Sequence, residues 1–174
     1  MTYGHILKPD VSIGIIDLDT SGVTISNAAP KVEFNAVSWK SSNSGSASVT
    51  GIDNDIITLV ANKKYLLQAT LSFNSQHTSY LNDRKFRWYN ENTSSWSGKP
   101  GVCNAKYEAY GGVSLERIDE SARAVIVIGA SNINVSLRYS GTTNQSFKVG
   151  DRNLSSPWSY IEDYGRIEIW EFNQ

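Results

Sequence analysis

The chain has 174 residues and a mass of 19.2 kDa, the size of one ordinary domain that can bury a core without disulfides or metal. Sixteen Lys and Arg against seventeen Asp and Glu leave a formal charge of −1, which offers no cationic excess for phosphates and argues against nucleic acid as a partner. Ser, Asn and Thr fill 49 of the 174 positions, a composition that favours strands, turns and polar surface over helices.

Residues 1–30 hold one candidate strand, Val11 to Leu18, between Pro9 and Pro30. It reads as the first strand of the domain or as an attachment segment that docks the domain on a larger particle. The domain proper is expected over 31–174. Met1 to Asp10 lacks a basic stretch followed by an apolar run, so no secretory leader is expected. No apolar stretch approaches the roughly 18 residues of a membrane helix. Cys103 is the single cysteine, so no intrachain disulfide forms.

Period-two alternation then dominates, the mark of a strand with one face in a core and one in water. Val32, Phe34 and Ala36 alternate with Glu33 and Asn35. Ser41 to Ser48 is a loop, and strands are expected at 47–51 and 56–61. After a turn at Asn62-Lys63-Lys64, the clearest strand carries Tyr65, Leu67, Ala69, Leu71 and Phe73 on one face. Phe86 and Trp88 alternate with Lys85, Arg87 and Tyr89. Ser94 to Gly101 reads as a loop. Strands at 113–118 and 122–128 are expected on either side of a turn, in preference to the helical turn that Leu115, Ile118, Ala122 and Val125 would also permit. Gly129 to Asn132 turns the chain into Ile133, Val135, Leu137 and Tyr139. A long loop, Gly141 to Pro157, precedes a closing strand over Ile167 and Ile169. Strands recurring at this spacing describe an all-β, antiparallel sandwich.

Several strands are apolar on both faces. Val125 and Val127 lie opposite Ala124, Ile126 and Ile128 in period, Leu66 lies opposite the core set of its strand, and Trp170 and Phe172 form the second face of the last strand. Burial of such a side chain is worth about 1.5–3 kcal/mol, and a soluble monomer rarely leaves a cluster of them in water. These five residues are expected to be an oligomer interface.

No catalytic constellation is visible. His5 and His77 are the two imidazoles, and neither adjoins a nucleophile motif. Asp119/Glu120 and Glu162/Asp163 are adjacent carboxylates beside turns, without the spacing of a glycosidase pair. Asp53-Asn54-Asp55 and Asp17-Leu18-Asp19 lack the ligand pattern of a calcium loop and read as turn-capping groups. No enzyme activity, metal or cofactor is therefore expected. The segment Arg84-Lys85-Phe86-Arg87-Trp88-Tyr89-Asn90-Glu91-Asn92 and the following Trp96 mix flat rings, guanidinium groups and amides. Arg84, Arg87, Trp88, Tyr89, Asn92 and Trp96 are candidates for contact with a ligand such as a glycan. The set suits a protein contact equally, and the same segment also reads as a strand whose Phe86 and Trp88 enter the core while Tyr89 and Trp96 pack in an oligomer seam.

The order of these landmarks resembles the trimeric jelly rolls of the tumour-necrosis-factor and complement globular-head superfamily. Val32-Glu33-Phe34-Asn35-Ala36 resembles their opening strand. Ile57 to Ala69, with its turn and Tyr65, resembles the next landmark, and Ala122 to Ile128 followed by Asn132 to Tyr139 resembles the pair before the end. Trp158 to Phe172, ending in Arg166-Ile167-Glu168-Ile169-Trp170-Glu171-Phe172, resembles the closing strand near the threefold axis. The resemblance implies a homotrimer without enzymatic activity. With no collagen-like stalk, it implies a bacteriophage virion-surface module: a capsid decoration or head-fibre protein held to a capsid or tail protein through the N-terminal segment. A tail-fibre or needle-tip module recognising a host surface glycan is the alternative.

Overall fold

The computed structural model describes residues 11–18, 23–25, 31–40, 44–51, 54–75, 85–110, 113–140, 147–149 and 165–173. Among them every regular element is a strand: β1 (Val11–Asp17), β2 (Val23–Ile25), β3 (Ser38–Trp39), β4 (Ser48–Thr50), β5 (Ile56–Leu59), β6 (Lys63–Ser75), β7 (Phe86–Asn90), β8 (Ser95–Ser97), β9 (Lys99–Tyr110), β10 (Val113–Val127), β11 (Ile133–Tyr139), β12 (Phe147–Val149) and β13 (Gly165–Asn173). They form two antiparallel sheets. In the first, β6 pairs with β10 on one edge and with β13 and β12 on the other. Beyond these lie β9 next to β10, β1 and then β3 next to β13, and β2 next to β12. The second sheet runs β4-β5-β11-β7-β8. The protein is an all-β sandwich.

The alternation read from the sequence sets the register. Leu67 lies between Ala124 of β10 and Ile169 of β13, and Ala69 between Ala122 and Ile167, so these rows face inward together and are buried. The second sheet answers with larger side chains, among them Ile57, Leu59, Phe86, Trp88 and Leu137. Small residues on one sheet opposite large ones on the other let the layers interdigitate at interior density. Trp88 is the largest fully buried side chain. Its indole N–H donates to the Ala122 carbonyl at 3.3 Å, at the register shift between β10 and β9. A buried N–H is thereby satisfied.

β1 is hydrogen-bonded to β13 over its whole length and to β3 at Gly14 and Ile15, and Ile16 and Leu18 enter the core. Four expectations are corrected. The expected turn between 118 and 122 is absent, because β10 runs unbroken, held by β6 on one side and β9 on the other. Val32 and Phe34 are buried as their period demands, yet Ala36 is exposed and the segment forms no ladder. It meets the second sheet through one β-bridge, Lys31 to Arg138, with further bonds from the Phe34 N–H to the Asn54 carbonyl and from Lys31 to Asp55. The loop expected at 94–101 contains β8 and the start of β9, and that expected at 141–157 contains β12.

Gly98 is the corner at which the chain leaves β8 in the second sheet for β9 in the first. Its φ is +73°, and a Cβ there would lie 2.2 Å from the Arg123 carbonyl oxygen and 3.0 Å from Ala124 Cα. Both obstacles are backbone and cannot swing aside. Gly98→Ala is expected to lower stability by at least about 1–3 kcal/mol, measured by urea unfolding, whereas alanine at Gly129, which has open space around it, is expected to have little effect.

Candidate functional site

Two outer faces and one buried cluster carry the polar and aromatic side chains of interest. The outer face of the first sheet is graded along its strands. Register aligns Val125, Leu66, Trp170 and Ile13 in one row across β10, β6, β13 and β1, and Val127, Lys64, Phe172 and Val11 in the next. The following row, Arg123, Gln68, Glu168 and Ile15, is mixed, and beyond it Ser121, Thr70, Arg166 and Asp17 are polar. Val125 is 75% exposed and Val127 64%; Leu66, Trp170 and Phe172 are half-buried. The indole N–H of Trp170 donates to Glu168, and Arg166 pairs with Asp17. All five expected interface residues thus lie on one face, at one end of it. Sequence reading missed Val11 and Ile13, whose half-buried side chains complete both rows. Their period within β1 carried that signal.

The outer face of the second sheet is a ladder of rings and guanidinium groups. Antiparallel pairing sets Arg138 opposite Arg87 and Ser136 opposite Tyr89, with Trp96 on the other side of Tyr89. Like charges directly across a ladder repel, and here each has its own compensation. The Arg138 guanidinium lies 3.9 Å from the Tyr89 ring centroid and makes two hydrogen bonds to Glu91, at 2.7 and 2.6 Å. The Arg87 guanidinium lies 5.7 Å from the Trp96 centroid, and its Nε–H donates to the Gly98 carbonyl at 2.8 Å. Tyr89 and Trp96 meet edge to face, 5.2 Å between centroids. Burial raises the Glu91 pKa, but hydrogen bonds from Arg138 and Ser136 and the charges of Arg138 and Lys31 outweigh it and hold the carboxyl below its usual value.

No protein-family model and no curated protein matches the chain.

Of the six ligand-contact candidates, Arg87, Tyr89 and Trp96 come together on this face, and Asn92 lies in the turn beyond β7 with its side-chain carbonyl accepting the Asn134 N–H. Trp88 is corrected: it points to the opposite side of β7 from Tyr89, has no exposed surface and belongs to the core. Arg84 lies outside the described residues. Arg138, which lies over the Tyr89 ring, was missed because it is remote in sequence, and only the β7–β11 register brings it to Tyr89 and Glu91.

The buried cluster sits inside the sandwich at the end of β13. Glu171 is 1% exposed. It is paired with Lys63 and accepts the Ser46 N–H at 2.8 Å and the Ser46 hydroxyl. Tyr65 is its register partner on β6, and the Tyr65 hydroxyl accepts the Val60 N–H. Burial pushes the Tyr65 pKa up to about 12. For Glu171, burial raises the pKa, but hydrogen bonds from Lys63, Ser46 and Tyr65 prevail and lower it. The Glu171 carboxyl is held charged and the Tyr65 hydroxyl held neutral, which is the pattern of a structural cluster rather than of an acid–base pair.

The remaining candidates place as follows. Asp17 and Asp55 are engaged by Arg166 and Lys31, and Asp19 and Asp53 lie outside the described residues. Among the described residues no group of three His, Cys, Asp or Glu converges as a metal site. His5, His77, Glu162 and Asp163 lie outside the described residues. Asp119 and Glu120 are in mid-strand within β10, and Cys103 within β9.

Proposed function

We propose that the chain is a homotrimeric jelly-roll module without enzymatic activity, displayed on a bacteriophage particle as a capsid decoration or head-fibre protein. The jelly-roll topology is supported by nested pairing. β1 pairs with β13, β5 with β11, β6 with β10 and β7 with β8. These are the rungs of one long folded ribbon. The contacts β13–β6 and β11–β7 are those made when such a ribbon wraps into two sheets. Display on a virion follows from the resemblance in sequence landmarks, and so does attachment to a capsid or tail protein through the N-terminal segment.

The observation that carries the oligomer is the apolar end of the first sheet's outer face. Two valines more than 60% exposed adjoin Leu66, Trp170 and Phe172 in two successive rows. Contiguous patches of this kind mark an interface. An isologous or cyclic assembly covers the same patch on every copy.

Sedimentation equilibrium tests it. The wild-type chain is expected at three times the 19.2 kDa protomer mass. Val125→Glu, at a position whose side chain leaves the fold unburdened, is expected to give folded protomers. A wild-type species of protomer mass would remove the trimer. For the display role of the segment 1–30, chains lacking residues 1–10, the part that precedes β1, are expected to form the trimer yet fail to rebind particles stripped of it; rebinding as strong as the full chain's would remove the attachment role of residues 1–10.

A further inference from the structure

The ladder on the second sheet carries unspent recognition chemistry, on the opposite layer of the sandwich from the apolar face. Trp96 is 40% exposed, the one large aromatic so exposed among the residues whose side chains the structure describes. It is not loose: Tyr89 meets it edge-on and Arg87 lies over its ring. Arg87 is fixed in turn by its Nε–H bond to Gly98. Among the residues whose side chains the structure describes, neither terminal amino group of the guanidinium has a hydrogen-bond acceptor and no carboxylate pairs with Arg87. The Trp96 indole N–H, the Tyr89 hydroxyl and the Asn92 amide NH2 likewise have no partner among the described residues. Arg138 differs, since Glu91 neutralises it.

We propose that Arg87, Tyr89 and Trp96 form a binding site for a carboxylate-bearing saccharide. The exposed indole supplies a flat apolar surface for a pyranose ring. The free amino groups of Arg87 suit a carboxylate, which guanidinium binds in bidentate fashion. The surrounding groups, Asn92, Thr93 and Ser95, are exposed amides and hydroxyls, matched to sugar hydroxyls and unlike the apolar centre of a protein interface. Side chains already held by Gly98, Glu91 and one another lose little freedom on binding. The site lies within one protomer, so it goes beyond the trimer and stands without it.

The test is titration of the intact ¹⁵N-labelled chain with trigalacturonate, sialyllactose and neutral cellotriose, read at the Trp indole resonances and by calorimetry. At least one of the two acidic sugars is expected to bind with Kd at or below about 1 mM, and the neutral one about tenfold more weakly or not at all. Trp96→Ala is expected to abolish binding and Trp96→Phe to keep it in part. Arg87→Gln is expected to erase the preference for the acid. Val125→Glu is expected to bind as the wild type does, which separates a failure of the trimer from a failure of the site. Silence toward both acidic sugars, undiminished binding by folded Trp96→Ala, or a protein ligand occupying the patch while the sugars stay silent would each overturn the proposal.

Discussion

Trp88→Ala is expected to lower the unfolding free energy by about 3–5 kcal/mol, a large share of the roughly 5–15 kcal/mol that holds a domain folded. The indole is fully buried and reaches across the sandwich to the carbonyl of Ala122. Its opposing rows are built around alanines, Ala69, Ala122 and Ala124, which have no longer side chain to swing into the vacated space. A cavity therefore persists, and the loss exceeds the transfer term alone. Trp88→Phe separates the two contributions. It retains most of the volume but strands the Ala122 carbonyl, at a cost of about 1–3 kcal/mol. Urea unfolding of the three proteins measures both steps. Trp96→Ala in the same experiment is expected to stay within about 0.5–1 kcal/mol of wild type, as for surface positions generally. A Trp88→Ala protein as stable as Trp96→Ala would contradict the packing described here.

The contrast between these two tryptophans shows what the sequence made legible. Alternation in 65–71, 133–139 and 167–172 was enough to assign faces, because a period of two leaves each side chain a single choice once its neighbours are buried. The same logic picked Leu66, Val125, Val127, Trp170 and Phe172 as outward and apolar. It failed where no apolar alternation exists. The stretch from Asp119 to Ser121 is charged and polar, yet it stays in strand because β6 and β9 both pair with it. β8 and β12 are three residues each, too short for a pattern to accumulate. Neither is a propensity effect; pairing with distant strands overrides local composition.

The candidate site was legible in part for a related reason. Arg87, Tyr89 and Trp96 are close in sequence, and a strand followed by a tight turn returns them to one another. The turn itself is built from side chains: Asn90 accepts the N–H groups of Asn92 and Thr93. Trp88 is open to two readings from the sequence, ligand contact or core, and the fold follows the second, in keeping with its period on the reverse of Tyr89. Arg138, 47 residues after Glu91, is joined to the site by register alone, and a single sequence contains no direct record of register between remote strands.

Lys63→Met is expected to destabilise the fold by about 3–5 kcal/mol at neutral pH, because it leaves the Glu171 carboxylate buried with its charge uncompensated. The effect depends on pH in a way that identifies its cause. In the wild type the folded pKa of Glu171 is lowered from its ordinary 4.5, and that of Glu91 is lowered too. A carboxyl depressed by folding contributes stability that is fully present above its unfolded pKa and is lost as pH falls through the folded one. Wild-type stability is therefore expected to be level from neutral pH down to about 5 and to fall at more acid pH. In Lys63→Met the chief group favouring the charged form is gone and burial of Glu171 acts with less opposition. Its carboxyl pKa rises, so the variant's deficit is expected to shrink as acid neutralises the group. The double variant Lys63→Met, Glu171→Leu removes both charges and is expected to recover most of the loss, since an apolar pair of similar size can replace a buried ion pair. Urea unfolding at pH 7, 5 and 4 reads all three proteins. A deficit that is the same at every pH, or a double variant weaker than Lys63→Met alone, would mean that packing of the lysine stem rather than charge compensation stabilises this end of the sandwich.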